Sequence, residues 1–66
     1  MTPTELEKIA QRFLVVIYDL ADGRTDKSVN RDEALQYANR IGLKGMTDEE
    51  FEAYRLRVMK RVAALN

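Results

Sequence analysis

A chain of 66 residues makes one domain at most, and one this short hides a smaller share of its surface than a larger chain, so its fold is marginal without a staple or a partner. The absence of cysteine and histidine removes disulfides, thiolate and imidazole metal sites, and the usual cysteine and histidine catalysts. Eleven Lys and Arg balance eleven Asp and Glu, so no global positive field gathers phosphate backbone or anionic lipid.

Thr2, Pro3 and Glu5 mark a capped helix start, with proline where its missing N–H costs nothing. Leu6, Ile9, Phe13, Val16, Ile17 and Leu20 follow at helical spacing. The β-branched block FLVVIY therefore reads as helix, over 3–22, with Gly23 as its stop. Projection at about 100° per residue puts Leu6, Phe13, Ile17 and Leu20 at the centre of the inner face, Leu14 to one side, and Val15 and Tyr18 well outside it. FLVVIY is too short to span a bilayer and MTPTELEK has no signal-peptide core, so the sequence predicts a soluble, cytoplasmic protein that is not in a membrane.

The loop GRTDKSV leads to Asn30, a helix cap with Glu33 three residues on. The second helix is expected over 31–41, with Ala34, Leu35, Ala38 and Ile41 inward. Gly42 then supplies a left-handed C-terminal residue, with Leu43 folding back over Ala38.

Thr47 and Glu50 form a capping box, and Met46 and Phe51 stand at the spacing of a hydrophobic staple across it. The third helix is expected over 48–65, its stripe running through Phe51, Tyr54, Val58, Val62 and Leu65. Asp48, Glu49, Glu50 and Glu52 at its start give way to Arg55, Arg57, Lys60 and Arg61, an order that suits the helix dipole. The fold class is all-α, a compact three-helix bundle in which helices 2 and 3 meet at a helix-turn-helix-like corner and pack across helix 1.

The segments SVNRDEALQYANRIGL and TDEEFEAYRLRVM together resemble the helix-turn-helix core of winged-helix DNA-binding domains. Lys44-Gly45-Met46 lengthen the turn, and a wing is not expected. The resemblance implies a regulator that uses helix 3, with Arg55, Arg57, Lys60 and Arg61 on phosphates. A weaker similarity joins DGRTDKSVNRDE, Asp22 to Glu33, to a degenerate EF-hand loop. Arg24 stands there at the acidic third ligand position and Lys27 at the turn glycine, and a cation in the cage opposes calcium, so no metal is expected.

No carboxylate lies in an apolar run, Ser28 has no histidine to activate it, and GLKG lacks the strand and ending of a phosphate loop. No catalytic residue and no cofactor are expected. Helices 1 and 3 carry more hydrophobe than one face needs, with Leu56, Met59 and Ala63 as a second stripe on helix 3. Either long helices touching two neighbours use these positions, or Leu14, Val15, Tyr18, Leu56 and Met59 form an exposed patch for another protein or a second copy of the chain. The leading expectation is a small non-enzymatic interaction module, and the alternative is a DNA-binding helix-turn-helix regulator.

Overall fold

A computed structural model describes residues 3–22, 24 and 28–65. The expected cap at Thr2, the stop at Gly23, Asp26 and Lys27 of the loop, Asn66 and the side chain of Leu65 lie outside the described residues. Three α-helices and one short turn of 3-10 helix make up the fold: α1 Pro3–Leu20, α2 Arg31–Arg40, the 3-10 turn Leu43–Gly45, and α3 Asp48–Leu65. Both α2 and α3 pack on α1.

Local chemistry sets these boundaries. α1 ends two residues before the position expected, because Asp22 takes the left-handed conformation at φ 54° and its N–H donates to the Asp19 carbonyl at 3.0 Å. Aspartate is one of the few residues that tolerate this region. The Asn30 side chain accepts from the N–H groups of Asp32 at 2.8 Å and Glu33 at 3.4 Å, opening α2. At its other end Gly42, at φ 71°, donates to the Asn39 carbonyl at 3.2 Å. The following residues Leu43–Gly45 coil into the 3-10 turn, which takes up the extra length between α2 and α3. The α3 box is reciprocal: Glu50 N–H donates to Thr47 Oγ1 at 3.1 Å, and Thr47 N–H to Glu50 Oε1 at 3.0 Å.

The core is small-bodied. Val15, Val16, Ala34, Ala38, Leu43, Tyr54 and Val58 form one buried cluster, and its largest fully buried side chains are the valines Val16 and Val58. Phe13, Ile17, Tyr37, Met46 and Phe51 pack against it from partly exposed positions. The rotation of α1 differs from the one its apolar spacing suggests. Its buried residues are Arg12, Val15 and Val16, whereas Leu6 is 53% and Ile9 43% exposed. On α2 Leu35 also turns outward, at 45% exposed, and Tyr37 turns in.

Candidate functional site

Two polar clusters fix which faces of the bundle remain free. The first is built on Arg12, which the turn after α2 and the start of α3 enclose. Its guanidinium donates to the carbonyls of Leu43 at 3.2 Å and Met46 at 2.8 Å and to Asp48 Oδ1 at 2.9 Å. It lies 4.9 Å from the centre of the Phe51 ring, a cation over an aromatic face. Lys8 reaches the same Asp48 oxygen at 2.6 Å, and Lys8 with Arg12 holds the Asp48 carboxyl below its ordinary range. Arg12 is the residue that composition and spacing conceal, because its acceptors are 31 to 36 residues away.

The second cluster is built on Asp19. Its Oδ2 accepts from the hydroxyls of Tyr37 at 2.9 Å and Tyr54 at 2.7 Å, and its Oδ1 pairs with Arg61. Burial pushes the Asp19 carboxyl up, but hydrogen bonds from Tyr54, Arg61 and Tyr37 outweigh it and leave the group below its ordinary value. The tyrosines move the other way: burial and then the Asp19 bond raise Tyr54, and the Asp19 bond and then burial raise Tyr37. Both polar clusters tie helices together.

The expected apolar patch is redistributed. Val15 is 6% exposed and belongs to the core, which corrects its placement on an outer face: α1 turns the arc through Arg12, Val15 and Val16 inward. Tyr18 and Met59 are half-buried against that core. Leu14 and Leu56 are exposed, at 49% and 55%. The exposed and half-buried apolar residues that share one face are Leu6, Ala10, Phe13, Leu14 and Ile17 on α1.

The basic residues are likewise divided. Arg61 is paired with Asp19 and lies 3.6 Å from Asp22, and Arg55 is paired with Glu52 one turn back. Arg57 and Lys60 are exposed and pair with no described carboxylate. The first turn of α3 presents Asp48, Glu49 and Glu50. Among the described residues no group of three or more acidic side chains is placed to hold a metal ion, and no helix is long and apolar enough to cross a membrane.

Comparison with protein-family models, curated proteins and solved structures gives no match. The chain's own surface is therefore the basis for a functional reading, and its most distinct feature is the apolar face of α1. A groove of about 610 Å³ runs beside that face, with Ile9, Leu43 and Met46 as apolar wall and Lys8, Arg12 and Asp48 across it.

Proposed function

We propose that this chain is a small non-enzymatic, cytoplasmic interaction module that docks another protein on the apolar face of α1. One observation carries the reading: the helix with the most regular apolar spacing in the chain leaves Leu6, Ile9 and Leu14 each more than two-fifths exposed, while it buries an arginine. An arc of exposed large apolar side chains on a surface is the mark of an interaction site. Zero net charge supports a partner recognised by shape and apolar contact more than by field.

DNA binding through Arg55, Arg57, Lys60 and Arg61 is the second reading, and the free heads of Arg57 and Lys60 favour it. Against it stand the internal pairing of Arg55 and Arg61 and the acids at the start of α3, where a recognition helix normally meets base edges. A photo-crosslinking side chain at Leu14, at Arg57 or at Glu49, introduced one at a time in cells, separates these readings. The expected result is a discrete protein adduct from position 14 and none from position 49. Silence at position 14 with nucleic-acid adducts from position 57 would overturn the docking reading in favour of DNA.

A further inference from the structure

We infer that the groove between α1 and the turn leading into α3 holds a small amphiphilic carboxylate, an apolar body with one negative head. Such a ligand is independent of whether a protein docks on the neighbouring α1 face, although Ile9 borders both. The groove has the size of a small-molecule site, about 610 Å³, where such sites span roughly 300–1,000 Å³. α1 supplies one wall, and the 3-10 turn with the entry to α3 supplies the other.

The walls are short of one anion. Lys8, Arg12 and Lys44 stand against Glu5 and Asp48, three cations to two carboxylates. Lys8 and Arg12 draw on the same Asp48 oxygen, at 2.6 and 2.9 Å, and that side chain is itself 74% exposed. Arg12, by contrast, is 8% exposed, and its Nε is buried with no acceptor. A buried guanidinium whose counter-ion is shared and faces solvent is under-supplied with negative charge. Lys44 is exposed and pairs with no described carboxylate. The other acids in the first turn of α3, Glu49 and Glu50, do not line the groove. A single carboxylate entering there meets the ammonium groups of Lys8 and Lys44 in the positive field of Arg12.

The lining selects the rest of the ligand. Ile9, Leu43 and Met46 are its apolar part, and the neutral polar groups beside them are engaged. The Leu43 and Met46 carbonyls accept from Arg12, the Met46 N–H donates to the Leu43 carbonyl, and the Thr47 hydroxyl and N–H close the capping box with Glu50. A peptide main chain laid on this lining would leave its own N–H and C=O groups without partners, which is costly. A hydrocarbon body needs none and gains by leaving water.

The test is a titration of the full chain with decanoate below its micelle concentration, followed by amide NMR spectra. Saturable shifts are expected at Ile9, Leu43, Lys44 and Met46. Decylammonium, the same body with a cationic head, should bind roughly tenfold more weakly, and acetate at the same concentration should shift nothing. Lys44→Gln should weaken decanoate binding about threefold to fivefold. Asp48→Asn should strengthen it by a similar factor, because Lys8 and Arg12 are then released to the ligand, whereas unspecific apolar adsorption would respond to neither change. Ile9→Asp should abolish binding with helicity unchanged, since Ile9 is 43% exposed. Equal affinity for decanoate and decylammonium, shifts centred on Leu6, Ala10 and Leu14, or no saturable shift at millimolar decanoate would each overturn the inference. Tighter binding of N-acetyl-leucyl-leucine, which carries its carboxylate on a peptide main chain, would overturn it in favour of a protein C-terminus. Docking on the α1 face is judged separately, by the crosslink at position 14.

Discussion

Arg12 satisfies two backbone carbonyls and a carboxylate at one time, while its Nε is buried without a partner. Replacing it by methionine preserves length and removes every one of these donors, leaving the Leu43 and Met46 carbonyls short of a partner. The expected loss is about 2–4 kcal/mol, most of the ~3–5 kcal/mol a core this small supplies, so Arg12→Met should unfold near ambient temperature in a thermal melt followed by circular dichroism. Arg12→Lys should also be destabilising, because an ammonium cannot donate in a fork and lie flat on Phe51. Asp19 governs the acid side. Its carboxyl is held below 3.8 in the folded chain and returns to that value on unfolding, so its contribution is present above pH 3.8 and lost as pH falls through the lower folded value. Tyr54→Phe removes one donor, and the midpoint of acid unfolding should move upward, as followed by circular dichroism.

At the level of the elements, the turn between α2 and α3 depends on Gly42 for conformation and not for space. A Cβ there would meet nothing within 4 Å, so Gly42→Ala should cost only left-handed strain, about 1–2 kcal/mol. Gly42→Asn should cost less, and thermal melts of the two variants check the order. The starts of α2 and α3 and the Gly42 corner were legible in the sequence because each is made by residues within a few positions of one another: Asn30 with Glu33, Thr47 with Glu50, Gly42 with Asn39. The rotation of α1 was not. Apolar spacing points to Leu6, Phe13 and Ile17 as the buried centre, but the choice was made by Arg12 and Asp19, whose partners lie on α2, α3 and the turn between them. Spacing likewise placed Leu35 inward on α2, where Tyr37 turns in to reach Asp19. The distribution of the basic charges was hidden for the same reason, since Arg61 is neutralised by an aspartate 42 residues away.

For the molecule as a whole, burial separates positions that hydropathy treats alike. Val15→Ser should destabilise the chain by about 2 kcal/mol or more, and Leu56→Ser should lie within about 0.5 kcal/mol of the parent. Urea midpoints measured on dilute protein check this pair, and the opposite order would mean that α1 is turned with its regular apolar face inward. Asp19 has a consequence for the way the chain comes apart. A single carboxylate on α1 takes donors from α2 and α3, so no two helices docked by themselves complete its set of bonds. Any state with one helix detached leaves that carboxylate short of a donor in a half-buried place. Partly assembled species should therefore be sparsely populated, and tyrosine fluorescence and far-ultraviolet ellipticity should trace one coincident transition.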